Sequence, residues 1–456
     1  MQTTLEAIPV SSDDLPARSN QALNHIPGPK GDWFTGNAKA LLPNPGPFVR
    51  AQRAQYGDCF TFGLFRNHRA VMLVGPEANE TVLLDKHNNF SSRMGWEVLL
   101  ELFGRNVLVR DFADHRQHRR FMTHVFKPDA LAHYLNQMNP IITTALSSYE
   151  GEVDVYAETK KMALDIAVRV FAGINASVDI ESWNQDLNTV LSNAMAHRIR
   201  FPGTRYYKGL RARDRLRNRL SEEISGRRET CDQDLFSQLV NQVNDDGAKL
   251  SDTDVIDHMF GMLFGAHDTT ASSLAMIFTL LSHYPKWQTE LRSECEALYR
   301  RTGSTHLSYQ DIEDLPTVDW VFKEALRLYS PLQLIPRRSV RSFDFQGLTI
   351  PENTAIYLVP QATHFDSRHF PNPEKFDPTR FAPDSEKPAS FSFIPFGRGS
   401  HMCLGMHFAY MEVRAVLYQL LLSRNLEPTQ PVMPDLEYLP IVRPTKQMNV
   451  RFSQIA

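Results

Sequence analysis

The sequence feature that most restricts the fold is a glycine-rich loop that carries one cysteine into an apolar helix. The loop extends from Phe393 to Gly405 and contains Cys403. Hydrophobic residues at helical spacing predict a last long helix over residues 406–423, directly after the loop. Glycines let such a loop adopt positive φ angles and approach another group closely. The thiol therefore lies at a helix N-terminus, where unpaired N–H groups and the positive end of the dipole stabilise a thiolate.

Three roles are open for Cys403 when these residues are taken by themselves. An electron-rich thiolate is suited to be the axial ligand of a haem iron, where it favours cleavage of an O–O bond. A buried structural cysteine after a tight turn is the simpler alternative. Metal binding together with His401 and His407 is the third, although the segment offers neither a fourth ligand nor a standard zinc spacing.

Composition narrows the class of protein. The chain has 456 residues, 49 Lys and Arg against 52 Asp and Glu, and a net charge of −3, which argues against general nucleic-acid binding. Its four cysteines form no C-x-x-C pair and are too few for a disulfide framework. No segment reaches the ~18 apolar residues of a membrane span, and the N-terminus lacks the features of a signal peptide. We expect a soluble cytoplasmic protein without a transmembrane anchor.

The order of the predicted elements indicates a mainly α fold with a minor β region. We expect a flexible N-terminal segment over residues 1–24 and a single domain over residues 25–456. Helical patterns dominate between about Asn79 and Tyr329. We expect prolines to interrupt these helices at four positions: Pro128, Pro140, Pro202 and Pro285. Short strands are expected at four places: residues 59–62, 70–74, 343–347 and 355–359.

A long helix is predicted over residues 250–282, with a capping box that begins at Ser251. Its middle, Gly265–Thr270, combines small residues with an acid and two hydroxyls, which are poor helix formers. Threonine hydroxyls can bond to the carbonyl four residues earlier and open the helix locally, which would make room for a diatomic ligand beside a cofactor. A close helix–helix crossing built on small residues is an equally good interpretation of this hexapeptide.

The cysteine segment resembles the Phe-x-x-Gly-x-Arg/His-x-Cys-x-Gly signature of the cytochrome P-450 superfamily of haem-thiolate monooxygenases. The five matching positions are Phe396, Gly399, His401, Cys403 and Gly405. The resemblance extends over about residues 25–450. It implies the P-450 fold, with haem b between a long distal helix and the proximal cysteine loop and helix. It makes Cys403 the metal ligand, and it implies these cofactor-binding residues: His115, Arg119, Ala266, Arg337, Phe396, Gly397, His401, Cys403 and Gly405.

The long helix resembles the Ala/Gly-Gly-x-Asp/Glu-Thr-Thr/Ser motif of the same superfamily, with Ala266 where glycine is usual. The resemblance implies two catalytic residues: Thr269, which would hydrogen-bond dioxygen, and Asp268, which would help to relay protons to it. Proton delivery of this kind is general-acid catalysis. The extra methyl group of Ala266 would narrow the oxygen groove.

Several polar residues match scaffold elements of the superfamily. By itself, Glu324 with Arg327 is an ordinary i, i+3 ion pair. The resemblance implies that this pair and Arg380, which lies in a Pro-x-Arg-Phe element, form a buried charge network that fixes the cysteine loop. His115 stands where a Trp-x-x-x-Arg helix has Trp, as in soluble bacterial members. The resemblance assigns four residues to the haem propionates: His115, Arg119, His401 and, less directly, Arg337. We expect Arg116, Arg120 and Arg338 to be surface charges.

The implied reaction inserts one atom of O2 into a hydrophobic small molecule with two electrons from a separate redox partner. We expect a ferredoxin or a flavodoxin with its NAD(P)H reductase, and a monomeric enzyme. Residues 202–213 resemble a stretch of retinoid- and sterol-handling branches, which favours a terpenoid, retinoid or steroid. The candidate pocket residues, for each of which a core role is equally consistent, are Met94, Trp96, Leu99, Leu263, Phe264 and Leu334. The alternatives are a haem-based sensor without turnover and a non-haem hydrolase, although no nucleophile-elbow motif is present.

Overall fold

A computed structural model describes residues 20–64, 68–174, 180–193, 196–229, 233–243 and 247–455. The α-helices in these residues are α1 Ala38–Leu41, α2 Pro45–Tyr56, α3 Pro76–Leu84, α4 Ser92–Gly95, α5 Glu97–Phe103, α6 Phe112–His124, α7 Pro128–Ser147, α8 Val155–Ile166, α9 Ile180–Asn193, α10 Arg205–Glu229, α11 Leu235–Asn241, α12 Asp252–His283, α13 Pro285–Thr302, α14 Pro316–Leu328, α15 Pro360–His364 and α16 Met406–Leu421. The predicted mainly α fold is thus confirmed.

The strands form one larger sheet and three small ones. They are β1 Cys59–Leu64, β2 His68–Leu73, β3 Phe90–Ser91, β4 Gly151–Asp154, β5 Ile335–Ser339, β6 Phe343–Phe345, β7 Leu348–Ile350, β8 Ala355–Leu358, β9 Arg424–Pro428, β10 Leu436–Glu437, β11 Arg443–Pro444 and β12 Asn449–Gln454. The five-stranded sheet has the order β1-β2-β8-β5-β3, and β4-β12-β9 forms a second sheet. β2 and β8 are parallel, and the other neighbours in these two sheets are antiparallel. The hairpins are β6-β7 and β10-β11.

The longest helix, α12, runs through the main hydrophobic core. The side chain of Ser251 caps its N-terminus by accepting a hydrogen bond of 3.1 Å from the Asp254 N–H, which confirms the predicted start. Pro285 begins α13 at its first turn, where the missing N–H costs nothing. From Ala271 to Ser282 every residue of α12 is buried, because the helix is apolar on all sides and is packed by neighbours all around.

The prediction that Pro140 ends a helix is wrong, since α7 continues through this residue to Ser147. A proline inside a helix costs ~3 kcal/mol because it removes one hydrogen bond and its ring is crowded. Here the ring lies on the exposed face. The preceding Asn139 is buried and fixes the helix by donating to the Leu307 carbonyl at 2.9 Å and accepting from Gln419 at 3.0 Å. Tertiary contacts therefore outweigh the local preference.

Most of the segment predicted to be flexible, residues 1–19, lies outside the described residues. Asn20–Leu23 forms a 3-10 turn, and Leu23 is buried in a hydrophobic cluster beside β2. In the part of the chain that is described, no helix combines the length and the apolar character needed to cross a bilayer.

Candidate haem site

The cysteine loop is held in shape by its own backbone. The Cys403 N–H donates to the Phe396 carbonyl at 2.9 Å, and the Gly397 N–H donates to the Ile394 carbonyl at 3.0 Å. Gly405 then begins α16, since its carbonyl accepts from the Ala409 N–H at 2.8 Å. Cys403 consequently stands three residues before the first residue of α16, as the sequence predicts.

Two glycines in the loop have φ angles that other residues rarely adopt, +66° at Gly397 and +67° at Gly399. At Gly399 there is a second constraint. A Cβ atom there would lie 1.9 Å from the Leu83 carbonyl oxygen at the end of α3. The backbone of the loop therefore packs directly on the backbone of α3, and this contact fixes the position of the loop relative to α3.

Cys403 is exposed, unlike the other described cysteines, Cys59 and Cys295, which are buried. Its side chain keeps accessible surface, yet burial among the surrounding protein atoms raises the pKa of its thiol. The Gly405 N–H and the charge of Arg119 oppose this rise, in the direction predicted for a helix N-terminus, but they do not outweigh burial. A bound metal cation is the kind of charge that converts such a thiol into a thiolate.

A cluster of basic side chains lies beside the loop. The rings of His115 on α6 and His401 stack with centroids 3.8 Å apart. Burial, with Arg119 and Arg337 nearby, lowers the pKa of His115 to about 4, and burial followed by Arg337 lowers that of His401 well below its usual range. The Nε2 atom of His115 is buried and has no hydrogen-bond partner. An unpaired buried nitrogen among cationic neighbours fits an anionic group such as a carboxylate.

Arg337 on β5 is almost completely buried. Its guanidinium donates to the Pro336 carbonyl at 2.8 Å. Burial lowers the pKa of Arg337 to about 10, and Asp111 and Asp85 act in the opposite direction. Its charge therefore already has carboxylates nearby. It also lines a cavity of about 290 Å³ together with His401 and Arg116.

The middle of α12 leaves open space at Gly265, which is exposed and where an added Cβ would meet no heavy atom within 4 Å. The predicted bond to the carbonyl four residues earlier is present, since Thr269 Oγ1 donates to the Gly265 carbonyl at 2.6 Å. The predicted local opening of the helix is absent, because α12 is continuous from Asp252 to His283. The hydroxyl adds a bond to that carbonyl and does not break the helix. Ala266 is partly buried and packs against the main core.

Asp268 forms its charge contacts on the side of α12 that faces α8. Its Oδ1 atom lies 3.2 Å from Lys160 Nζ and 3.1 Å from His267 Nδ1. Burial by itself would raise the pKa of Asp268, but His267 and Lys160 outweigh it and lower this pKa to about 2. The carboxylate is therefore ionised at neutral pH. Among the described residues no hydrogen bond joins it to Thr269. Sequence reasoning missed Lys160, which lies in an ordinary amphipathic helix, and gave no role to His267.

The scaffold residues come together in the predicted network. Glu324 and Arg327, both completely buried, form two hydrogen bonds of 2.7 and 2.8 Å. Glu324 also accepts from the Asp377 N–H at 2.9 Å and, at the longer distance of 3.4 Å, from Arg380. Both oxygens of the carboxylate are thus satisfied, as a buried ion requires.

His364 connects this network to the cysteine loop, and the sequence gave no signal for it. Arg327 donates to the His364 carbonyl at 3.0 Å, and the Ile394 N–H donates to His364 Nε2 at 3.0 Å. Burial, with Arg327 in addition, lowers the pKa of His364 to about 3. The ring is therefore neutral, and Nε2 is the acceptor that fixes the start of the loop.

The six candidate pocket residues do not form one group. Four of them lie in or against the main core: Leu99, Leu263, Trp96 and Phe264. Met94 belongs to a separate small cluster, and Leu334 packs against the cluster beneath β1 and β2. Their role in a substrate pocket stays a prediction. In the described part of the chain, no group of three or more His, Cys, Asp or Glu side chains is arranged to hold a metal ion.

A mainly helical fold with an exposed cysteine before α16, and with open space at Gly265 in the middle of α12, fits the haem-thiolate class that the cysteine signature implies. Comparisons with known proteins identify the same class. Residues 26–452 match the family described as Cytochrome P450, and the chain belongs to this family. The solved structure titled "Retinoic acid bound cyanobacterial CYP120A1" superposes with a TM-score of 0.85 at 26% identity, covering 95% of this chain and 100% of that one.

Two curated relatives illustrate the range of similar sequences. "Putative cytochrome P450 136" of Mycobacterium tuberculosis is 32% identical over 373 residues, which are 79% of this chain and 75% of the relative. "Taxane 10-beta-hydroxylase" of Taxus cuspidata is 27% identical over 430 residues, which are 91% and 86% of the two chains. The protein is therefore a cytochrome P450 monooxygenase with haem b as cofactor, which acts with O2, a hydrophobic substrate and a redox partner.

The residues of the site fit haem b. Cys403 supplies a free and exposed cysteine side chain. The unpaired His115 Nε2 supplies a donor beside two arginines. Gly265 leaves space on the distal helix.

Proposed function

We propose that the chain oxidises a terpenoid, retinoid or steroid, with Cys403 as the residue that would bind the haem iron and with Asp268 and Thr269 as the residues that would hold and move protons. The observation that carries the proposal is Cys403 itself, which is free and exposed while backbone hydrogen bonds hold its loop in shape. When bound, haem supplies the site at which O2 is reduced and one oxygen atom is transferred.

The proximal residues bind and orient the cofactor. His115, Arg119 and His401 hold the propionates, with Arg337 at the neighbouring cavity. Support comes from the stacked rings of His115 and His401 and from the unpaired His115 Nε2. The network of Glu324, Arg327 and Arg380 acts as scaffold, since it reaches the loop through the His364 contacts.

The distal residues hold and move protons. Thr269 presents a hydroxyl whose proton is donated to the Gly265 carbonyl, so its lone pairs are free to accept from a water molecule or a protonated group. Asp268 is ionised and held by Lys160, so it must leave this contact or exchange a proton through water in order to act as an acid.

The proposed substrate class rests on the relatives. One is named taxane 10-beta-hydroxylase, others are beta-amyrin monooxygenases, and the similar solved structure contains retinoic acid. Taxanes, beta-amyrin and retinoic acid are all isoprenoids. A large and mainly apolar compound also suits the apolar surroundings of Leu99, Leu263 and Phe264. Hydroxylation is the reaction that these names have most in common.

We propose a ferredoxin with its reductase as the electron donor, with a flavodoxin as the second candidate. A surface pocket with a volume of about 490 Å³ lies beside the cysteine loop and supports an acidic donor. Its lining includes four basic residues: Arg116, Arg119, Arg120 and Lys127. A basic surface favours fast encounter with an acidic partner. That the enzyme is a cytoplasmic monomer with one domain over residues 25–456 stays a prediction.

The replacement Cys403→Ser tests the haem ligand. We expect the variant to lose the red-shifted Soret band of the reduced carbonyl complex, because an alcohol oxygen does not donate electron density as a thiolate does. Cys59→Ala and Cys295→Ala, which change buried cysteines elsewhere, are the controls and should keep the band. A serine variant that keeps it would show that another residue is the ligand.

A titration of the ferric protein with isoprenoids, followed by the Soret band, identifies the compounds that bind. NADH-driven turnover of these compounds with a surrogate ferredoxin system then separates a monooxygenase from a haem-based sensor. A sensor would bind ligands and give no oxidised product.

A further inference from the structure

In the middle of α12, Gly265–Thr270, His267 is the one titratable side chain that the proposed function leaves without a role. It is completely buried, and neither of its ring nitrogens has a hydrogen bond of good geometry. A buried imidazole without partners costs free energy, because at least one N–H has lost its contact with water. Such a group needs an explanation, and among the described residues its close polar neighbour is Asp268.

The position of His267 on α12 directs it toward α8. Ala271, one turn further along α12, accepts a hydrogen bond of 3.1 Å from Thr159 on α8. Residues four apart share a helix face, so His267 lies on this face as well. Lys160 follows Thr159 directly. The imidazole and the ammonium group therefore approach Asp268 from the same side of α12.

Both groups contact the same atom. His267 Nδ1 lies 3.1 Å and Lys160 Nζ lies 3.2 Å from Asp268 Oδ1. The Lys160 side chain is partly exposed, whereas His267 is buried. Tyr156 on α8 also faces Asp268, and it in turn faces Arg443 and Glu437. Neither contact is a hydrogen bond of good geometry, since Asp268 Oδ1 has no hydrogen-bond partner among the described residues; both are close polar contacts.

We propose that His267 is a positioning residue for Asp268: together with Lys160 it holds one carboxylate oxygen on the α8 side of α12 and leaves the other for the groove that Gly265 and Thr269 border. The inference rests on the proposed role of Asp268 in proton delivery. It adds that the direction and the ionisation of this carboxylate are set by the preceding residue, within the same turn of the helix.

A double-mutant cycle measures the contact without any turnover. His267→Leu, Asp268→Asn and the double variant are unfolded with denaturant at neutral pH, in the haem-containing protein. Because the two side chains interact, we expect the effects on the unfolding constant to be non-additive by roughly tenfold. His258→Gln is the matched control. It removes a buried imidazole from the same helix about 15 Å from Asp268, and it should combine additively with Asp268→Asn.

Turnover shows whether the contact matters for the reaction. We expect His267→Leu to lower kcat and the yield of product per NADH about fivefold or more, with KM for the organic substrate unchanged. His267→Gln keeps an N–H donor and should recover most of the yield, which a merely structural loss would not do. If the leucine variant does not fold, His267→Ala, which also removes both ring nitrogens, supplies the cycle with Asp268→Asn.

The outcomes separate the two proposals. Additive effects in the cycle, or a leucine variant with the wild-type yield, would overturn the role of His267. A cycle with strong coupling, in a protein whose Thr269→Ala and Asp268→Asn variants both keep the wild-type yield, would instead refute proton delivery by the distal pair and limit His267 to holding the carboxylate.

Discussion

At the scale of single residues, the proposed distal site consists of two neighbouring side chains with different partners. Thr269 bonds to its own helix, and Asp268 contacts α8. Neither contact is part of the groove itself. Thr269 is thereby held beside the space at Gly265, whereas Asp268 is held toward α8.

Thr269→Ala tests the hydroxyl. We expect the variant to bind haem normally and to divert electrons from NADH into hydrogen peroxide, with a fall in product per NADH of about tenfold or more. Product and peroxide are quantified in the same reaction. Thr279→Ala is a matched control, because Thr279 lies on the same helix and makes the same bond to the carbonyl four residues earlier, at 2.8 Å. Unchanged coupling in the Thr269 variant would contradict the proposed role.

Asp268→Asn tests the ionisation of the carboxylate through protein stability. Since the folded-state pKa of about 2 lies below the usual 3.8, the ionised group stabilises the fold above about pH 4, and this contribution is lost as the pH falls toward 2. We expect the variant to be less stable than the wild type by about 2 kcal/mol at neutral pH, with the difference vanishing in acid. Unfolding curves between pH 2 and 7 measure it. Asp384→Asn, at an exposed position, should show no such difference.

At the scale of elements, the cysteine loop is located by contacts with three separate parts of the chain. α3 contacts its backbone at Gly399. His364 at the end of α15 accepts from the start of the loop. α6 stacks His115 on His401. The loop is therefore a rigid support between helices, which is what an axial ligand requires if its position is to be kept within a fraction of an ångström.

Gly399→Ala tests this support. The new methyl group would overlap the Leu83 carbonyl, and the backbone would be held at a φ of +67° that alanine disfavours. We expect a loss of stability on the order of 3 kcal/mol, together with incomplete haem incorporation. Thermal unfolding and the haem-to-protein ratio measure the two effects.

Gly226→Ala is the control, because this glycine lies inside α10 and an added Cβ would meet nothing within 4 Å. There alanine should stabilise the protein by about 0.5–1 kcal/mol. A Gly399 variant with wild-type stability and full haem content would contradict the tight packing on α3.

At the scale of the whole molecule, charge is distributed unevenly although the net charge is only −3. The surface beside the cysteine loop is lined by Arg116, Arg120 and Lys127. The groove between Leu42 and Leu439, by contrast, has one basic and one acidic side chain in its lining, Lys39 and Glu437. A donor that carries electrons to haem is expected on the basic surface, because complementary charge speeds encounter and orients the partner.

Reversal of these charges tests the docking surface. We expect Arg116→Glu combined with Arg120→Glu to slow reduction by an acidic ferredoxin about tenfold at low ionic strength, and the difference to shrink as salt screens the charges. Stopped-flow reduction under carbon monoxide measures the rate. Lys446→Glu, beside β11 and away from this surface, should have little effect. Equal rates for all three proteins would place the donor elsewhere.

The sequence by itself determined the features that depend on contiguous residues. The glycines around Cys403, the cap at Ser251 and the hydrophobic period of α16 act within one loop or one helix, so their consequences are local and can be predicted from spacing. The same holds for the ion pair of Glu324 with Arg327, whose members are one turn apart.

Only the tertiary structure decided which distant groups meet. Lys160 contacts Asp268, His364 bonds to Ile394, and Leu83 packs on Gly399, although none of these pairs is close in sequence. In the tertiary structure α7 also continues through Pro140, and α12 is a continuous helix at Thr269. The physical reason is that local preferences are worth about 1–3 kcal/mol, which the packing of a buried helix on its neighbours can exceed.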